Sequence, residues 1–261
     1  MSPQTVLFVS AGPGAADLIT VRGARALAAA EVVLFDALTD PALRELAPHA
    51  EWIDVGKRGF CDSTKQTAIN AALVKQARTG RRIVRLKGGD ASIFGRLEEE
   101  LIALHEAGIA SEVVPGVTAA IAAAAHLQRP LTRRGAGRSV SLTTAMTKDG
   151  DLQAARSADT EVFYMAGRQL AALGRKLLEA GWPADTPVAA VSRAGCADAL
   201  SSDHTVAELA AASLLHRGRP TVVTVGAGAQ ALTSAGRFAP TNSTITPGLA
   251  PHQGLTRSLI D

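Results

Sequence analysis

The 261-residue sequence is poor in cysteine and aromatic residues, and it has no long apolar run. Its two cysteines, Cys61 and Cys196, are too few for a disulfide framework or a structural zinc site. Aromatic residues make up 3% of the chain, so the core must be built from Ala, Val, Leu and Ile. No segment approaches the ~20 apolar residues of a membrane span, and the first residues lack the pattern of a signal peptide. We therefore expect a cytoplasmic protein that is not inserted in a membrane.

The sequence also has little excess of positive over negative charge. The 27 Lys and Arg residues against 24 Asp and Glu give a net charge of +3, which is too mild to indicate a nucleic-acid partner but suits a small anionic ligand. The hydrophobic share of 47% excludes an intrinsically disordered chain. The six histidines are scattered without metal-ligand spacing, so we predict no metal site.

The sequence pattern predicts two α/β domains. In the first half, short β-branched runs alternate with helical segments, an arrangement typical of βαβ units and a mostly parallel sheet. A glycine- and arginine-rich stretch, Pro130–Arg138, joins the halves, and the predicted domains are 1–134 and 135–233, followed by a poorly ordered tail at 234–261. The predicted strands are 5–10, 32–35, 51–55, 82–86, 111–114, 139–144, 161–165, 187–191 and 221–225, and the predicted helices are 18–30, 41–46, 64–79, 97–107, 118–127, 170–180 and 206–215.

Glycine clusters follow several of the predicted strands. Gly12–Gly14 follows the first strand, Gly88 and Gly89 follow the fourth, and Gly116 follows the fifth. Ligands of such sheets bind beyond the carboxyl ends of the strands, so this coincidence predicts a binding site there, although each cluster could also be only a tight turn. The first cluster lacks the third glycine of the dinucleotide fingerprint, which argues against a nicotinamide dehydrogenase.

Charged residues accompany these loops. Asp90 could accept hydrogen bonds from a ligand, or it could merely cap the following turn. Lys57 and Arg58 follow the third strand, and basic residues in glycine-rich loops suit carboxylates or phosphates. Each of these cations taken alone is more often a solvated surface residue.

A series of motifs covers about residues 5–170 and reads, in order, AGPGAADLIT, LFDAL, VGKRG, TKQTAIN, RLKGGDASIFGR, VVPGVTAAIAAAA, PLTRR and FYMAG. Taken together, these motifs resemble the tetrapyrrole methylase family, in particular its branch that methylates uroporphyrinogen III.

This resemblance implies a fold and a reaction. The fold has an N-terminal, mostly parallel five-stranded sheet with helices on both faces and a C-terminal mixed sheet with helices. The implied protein is a homodimer that holds S-adenosyl-L-methionine (SAM) between its domains and releases S-adenosyl-L-homocysteine. The implied reaction methylates C2 and C7 of uroporphyrinogen III to give precorrin-2, the precursor of sirohaem, cobalamin and haem d1, with no nucleic-acid or membrane partner.

The resemblance also assigns roles to residues. Asp36 would accept a proton and Lys57 would donate one. A pool of arginines would bind the carboxylates of the tetrapyrrole, namely Arg58, Arg96, Arg133, Arg134 and Arg138. The residues matched to SAM contacts are Pro13, Gly88, Gly89, Asp90, Ile93, Thr118, Ala119, Met165 and Ala194.

The sequence departs from the family pattern at several positions. Ala15 replaces an acid, Ala91 and Ser92 replace Pro-Phe, Leu97 and Glu98 replace Gly-Gly, and Arg133 replaces a histidine. Two alternatives therefore stay open: a sister methylase acting on another corrinoid or other acceptor, and a non-catalytic protein that binds SAM or a tetrapyrrole.

Overall fold

The first half of the chain folds into an all-parallel sheet. A computed structural model describes residues 5–56, 66–145 and 152–232. The strand order is β3-β2-β4-β1-β5, and every neighbouring pair is parallel, which confirms the predicted sheet. The strands are β1 (Val6–Ser10), β2 (Val32–Phe35), β3 (Glu51–Asp54), β4 (Ile83–Lys87) and β5 (Ser111–Val114).

Helices cover both faces of this sheet. One face packs Val9, Val33 and Leu86 against Leu27 of the first helix, while the other packs Phe8 and Leu34 with Leu73 and Leu104. Four α-helices belong to this half: α1 (Val21–Ala28), α2 (Gln66–Ala77), α3 (Leu97–Glu106) and α4 (Ala119–Leu127). Short 3-10 helices lie at Ala16–Leu18 and Pro41–Leu46.

The second half forms a mixed sheet. Its order is β6-β7-β10-β8-β9, with β6 parallel to β7 and the other pairs antiparallel, as the resemblance implied. The strands are β6 (Val140–Thr144), β7 (Thr160–Tyr164), β8 (Pro187–Ser192), β9 (Leu200–Thr205) and β10 (Thr221–Gly226), and the helices are α5 (Leu170–Glu179) and α6 (Ala212–His216). Helix α4 of the first half packs on this sheet through Ala120 and Ala123, which lie in one apolar cluster with Val162, Tyr164 and Val222.

Two predictions for the second half are wrong. The sequence analysis missed β9, because this edge strand, LSSDHT, is largely polar and lacks an apolar alternation. The helix expected over 206–215 is a turn, then a 3-10 helix at Leu209–Ala211, and only then α6. The buried residues Val206, Leu209 and Ala212 are three apart, a spacing that fits the three residues per turn of a 3-10 helix as well as it fits an α-helix.

No described helix has the length and apolar character to cross a membrane. The described residues up to Ala231 form one compact unit. The tail predicted at 234–261 lies outside the described residues, and the domain boundary at 134 stays a prediction.

Candidate functional site

The glycine loops after β1 and β4 lie side by side at the carboxyl edge of the first sheet. The Gly12 amide donates to the Gly89 carbonyl at 3.2 Å, and the Gly89 amide donates to the Gly12 carbonyl at 2.7 Å. Gly89 has φ +68°, and a Cβ built there would meet no atom within 4 Å. The loop therefore exposes bare backbone to open space, which lets a ligand approach the main chain closely.

The carboxylate of Asp90 ties this edge together. Its Oδ1 accepts the Ser92 amide at 2.8 Å, and its Oδ2 accepts the Gly116 amide at 2.7 Å. The first bond forms the turn that the sequence analysis considered as an alternative, and the second joins the loop after β4 to the loop after β5. Asp90 thus fixes the relative position of two loops, and its direct contact with a ligand stays a prediction.

The next residue departs from the family pattern. Ala91 is fully buried, and its amide donates to Ser10 Oγ at 2.9 Å. The family's proline at this position would have no amide to donate. The substitution of alanine therefore adds a hydrogen bond between β1 and the loop after β4.

Tyr164, at the end of β7, completes the site from the second sheet. Its hydroxyl hydrogen-bonds Thr118 Oγ1 at 2.7 Å and accepts the Ala120 amide at 3.3 Å, so it caps the N-terminus of α4. Burial raises the pKa of Tyr164, so the phenol stays neutral over the usual pH range. The ring of Phe94 packs on that of Tyr164, with a centroid distance of 5.0 Å.

Three more of the residues matched to cofactor contacts lie around Tyr164. Ile93, Ala119 and Ala194 pack in the apolar cluster that contains Tyr164. Met165 follows Tyr164 directly, is 54% exposed and has φ +58°.

The loop after β1 interlocks with the loop after β8. The Ala15 amide donates to the Gly195 carbonyl at 2.8 Å. A Cβ at Gly14 would lie 2.5 Å from Cys196 Sγ, and one at Gly195 would lie 3.1 Å from the ring of Pro13. These two glycines allow the close approach that brings Pro13 beside the Ala194 loop.

Strained backbone surrounds the same edge. Five described non-glycine residues have φ between 51° and 58°, the left-handed region that costs of order 1–3 kcal/mol each. One of them, Gln128, ends α4, and the other four are Phe94, Arg96, Met165 and Arg193. All four follow the carboxyl ends of β4, β7 or β8. Such strain concentrates at ligand-binding sites, which supports the placement of the site at this edge.

A buried ionic network lies behind Asp36, which follows β2. Arg85 Nη2 contacts Asp36 Oδ1 at 2.6 Å, and Arg85 Nε contacts Glu100 Oε2 at 2.9 Å. Lys87 Nζ contacts Glu100 Oε1 at 2.8 Å, and the Gln66 amide donates to the same oxygen. Arg85, Lys87 and Glu100 are at most 2% exposed, whereas Asp36 is 29% exposed. Sequence reasoning missed these three side chains, although two cations spaced two apart inside the apolar strand β4 were a signal.

Burial and charge act against each other on the pKa values of this network. Burial alone would raise the pKa of Glu100, but the charges and hydrogen bonds of Arg85 and Lys87 outweigh it, and the pKa is lowered. Burial, together with the charge of Arg85, lowers the pKa of Lys87. The carboxylate of Glu100 is therefore ionised in the folded protein at neutral pH.

Three of the five predicted carboxylate-binding arginines, Arg133, Arg134 and Arg138, lie at the amino end of β7 and not at this edge. Arg96 pairs with Glu99 on the surface at 2.6 Å. The Arg133–Gly137 turn lies at the amino end of β7, because the amides of Arg138 and Ser139 donate to Asp159. Arg133 donates to the Gln230 carbonyl, and Arg134 is exposed. Met165 directly follows the carboxyl end of β7, so Met165 and these arginines lie at opposite ends of that strand. Lys57 and Arg58 lie outside the described residues, although Gly56 packs directly on Ala37 beside Asp36.

A hydrogen-bonded chain supports the loop that contains Ala194. Ser192 Oγ contacts His216 Nδ1 at 2.5 Å and Thr221 Oγ1 at 2.9 Å. Ser202 Oγ contacts His216 Nε2 at 2.8 Å and His204 Nε2 at 2.7 Å. His216 is fully buried, and burial, with smaller contributions from the nearby charges of His204 and Arg219, lowers its pKa below 6.5.

We expect His216 to make the protein sensitive to mild acid. Its pKa is lower in the folded than in the unfolded chain, so its contribution to stability is complete above pH 6.5 and is lost as the pH falls through the folded value. One such group contributes at most about 1.4 kcal/mol per pH unit. In His216→Gln, the fall in Tm between pH 7.5 and pH 5.5, measured by calorimetry, should be smaller than in the wild type.

His105→Gln is the matched control, because His105 is exposed on α3. It should leave the pH dependence of Tm unchanged. Parallel curves for the wild type and His216→Gln would contradict the assignment.

An all-parallel sheet and a mixed sheet that meet over glycine loops define a two-domain α/β protein with a small-molecule site at its strand ends. Within the described residues, no cluster of side chains could hold a metal ion. The chain belongs to the Tetrapyrrole (Corrin/Porphyrin) Methylases, the family whose profile matches residues 5–210.

Individual relatives agree with this assignment. The chain is 46% identical to a uroporphyrinogen-III C-methyltransferase of Pseudomonas aeruginosa over 193 residues, or 72% of this chain and 79% of the relative. It is 45% identical to siroheme synthase 1 of Yersinia pseudotuberculosis over 194 residues, which cover 72% of this chain but only 41% of that longer relative. A crystal structure of a Thermus thermophilus uroporphyrin-III C-methyl transferase complexed with S-adenyl homocysteine superposes with a TM-score of 0.75, at 33% identity, covering 85% of this chain and 97% of that one.

Proposed function

We propose that this chain is a SAM-dependent C-methyltransferase that methylates uroporphyrinogen III at C2 and C7 to give precorrin-2. The observation that carries the proposal is the joining of Gly12, Gly89 and Asp90 at one edge. Asp90 binds the amide of Gly116, in the loop that leads to Thr118, and Thr118 contacts Tyr164 of the second sheet. The names and the bound ligand of the relatives point to the same reaction.

The residues at this edge fit SAM. Gly89 leaves open space beside the backbone, which suits a ligand that lies close to the main chain. Ile93, Ala119 and Ala194 supply apolar surface, and Met165 is exposed. A mainly apolar site with a few fixed polar groups is typical of cofactor pockets. When bound, SAM supplies an electrophilic methyl group on a sulfonium.

The chain's own residues would position the acceptor and remove a proton. Transfer of that methyl group to a pyrrole carbon would leave the methylated pyrrole as a cation, with S-adenosyl-L-homocysteine as the leaving product. A neighbouring bridge carbon must then lose a proton. Asp36, partly exposed at the carboxyl end of β2, would accept it, and Lys57 would act as the proton donor. Alignment of the carbon, methyl and sulfur atoms contributes ~7–11 kcal/mol at best.

The roles of the individual site residues, the homodimer and the cytoplasmic location belong to this proposal. The positions of Arg133, Arg134 and Arg138 at the amino end of β7 favour other cations as partners of the substrate's carboxylates. Arg96 follows β4, and in the sequence Lys57 and Arg58 come directly after Gly56.

Counting transferred methyl groups tests the function. The chain is incubated without oxygen with SAM and uroporphyrinogen III, and the product is analysed by mass spectrometry. We expect a gain of two methyl groups with the wild type, and a rate ~10²–10⁴-fold lower with Asp36→Asn at unchanged SAM affinity. No transfer to uroporphyrinogen III, with SAM bound and a later corrinoid methylated, would instead favour a sister methylase. SAM binding without transfer to any acceptor would favour a non-catalytic protein.

A further inference from the structure

Every nitrogen of the Arg85 guanidinium is engaged, although this side chain has no assigned part in the reaction. Nη2 donates to Asp36 Oδ1 at 2.6 Å and to Glu100 Oε1 at 3.1 Å, and Nε donates to Glu100 Oε2 at 2.9 Å. Nη1 donates to the Leu86 carbonyl at 3.1 Å. The planar group is therefore fixed in one orientation by two carboxylates and the backbone of its own strand.

Asp36 differs from the other charged members of this network. Arg85, Lys87 and Glu100 are buried, and Asp36 alone reaches the edge of the site. Within the described part of the chain, a donor is seen at Oδ1 and none at Oδ2. The rigid guanidinium of Arg85, bound to Oδ1, would hold Oδ2 of Asp36 in a constant position. A base needs such a fixed position in a reaction that depends on precise alignment.

The rest of the network explains how a buried arginine can serve this purpose. An isolated guanidinium in the core would be strongly destabilising, but Glu100 supplies the opposite charge. Lys87 then balances the second carboxylate, so two cations face two carboxylates. Glu100 and Lys87 neutralise the network without contacting Asp36 in any bond described for them.

We propose that Arg85 is a positioning residue that fixes the carboxylate of Asp36 for proton removal, with Glu100 as its buried counter-charge. The inference rests on the proposed function, in which Asp36 is the proton acceptor. A lysine at this position could not reproduce it, because an ammonium lacks the planar fork that reaches both carboxylates.

The first test needs no activity. A crystal structure of Arg85→Lys should show the Asp36 side chain in a different rotamer, or in more than one. The matched control is Arg129→Lys, because Arg129 binds the carboxylate of Asp203 through both terminal nitrogens and makes no described bond to Asp36 or its network. An Asp36 side chain unchanged in Arg85→Lys would overturn the inference, whatever reaction the protein performs.

The second test is a kinetic cycle of Asp36→Asn, Arg85→Lys and the double variant. We expect Arg85→Lys to lower kcat ~10–100-fold with KM and SAM affinity nearly unchanged, and the double variant to be no slower than Asp36→Asn alone. If the enzyme is active and the two substitutions reduce kcat independently, so that their fold-changes multiply in the double variant, the positioning role is overturned and the proposed function stands. An inactive wild type would contradict the function instead.

Arg85→Gln, whose amide can still donate to Asp36, is the second variant in case the lysine variant does not fold. Adding Arg85→Gln to Asp36→Asn should likewise cause no further fall in kcat. Loss of SAM binding and of a cooperative thermal transition in both variants would assign Arg85 to stability alone and would overturn the inference.

Discussion

Asp90→Ala is expected to weaken SAM binding by at least about 100-fold while the fold survives. The alanine removes two bonds to a charged acceptor, those from the Ser92 and Gly116 amides. Hydrogen bonds to charged groups contribute about 1.5–3 kcal/mol each, and 1.4 kcal/mol corresponds to a tenfold change in affinity. The loops after β4 and β5, which carry Gly89 and Thr118, would then no longer be fixed to each other. Isothermal titration calorimetry measures the effect directly.

Two further variants sharpen this test. Asp90→Asn keeps one acceptor oxygen for one of the two amides, so we expect an intermediate loss of about tenfold. Asp159→Ala is the matched control, because Asp159 also accepts two backbone amides from another loop but lies at the amino end of β7. Normal SAM binding by Asp90→Ala, or an equal loss in Asp159→Ala, would refute the role of Asp90 in the site.

The second large effect concerns stability. Glu100→Ala would leave Arg85 and Lys87 buried with only Asp36 as a counter-charge. Removing one partner of a buried ion pair costs about 3–5 kcal/mol, because an uncompensated charge stays in the core. In a protein of this size we expect a fall in Tm of roughly 6–20 °C, measured by calorimetry.

Glu99→Gln is the natural control, since Glu99 neighbours Glu100 on α3 and pairs with Arg96 at the surface. An exposed pair of this kind contributes about 0–1 kcal/mol, so its Tm should change little. Similar losses in the two variants would show that the buried network does not stabilise the fold as argued.

The sequence made the sheet and its loops predictable because their signals are local. Strands β1 and β2 are short apolar runs, and β3, β4 and β5 each contain at least two apolar residues. The glycines at positions 12, 88 and 89 mark the turns at one edge. The partner of a buried charged side chain, in contrast, can lie far away in the sequence. Nothing near Arg85 in the sequence indicates that α3 brings Glu100 onto the same face of β4.

The arginine prediction shows a related limit. Arg133, Arg134 and Arg138 are close in sequence to the join between the halves, which suggested that they lie near the ligand. The join leads into the amino end of β6, and the parallel pairing of β6 with β7 places it at the amino end of β7 as well. The polar edge strand β9 was missed for another reason: its pairing with β8 stabilises it, and its own sequence does not favour a strand.

The capping of α4 by Tyr164 has a consequence for how the molecule melts. The nine residues of α4, mostly alanine, are too few for an isolated helix to be stable in water. The phenol that satisfies the first turn of this helix comes from a strand about forty residues further along the chain. Separation of the two sheets would therefore unfold α4 and expose to solvent the apolar face of the second sheet on which α4 packs. Heating should produce a single endotherm in which both halves lose their structure together.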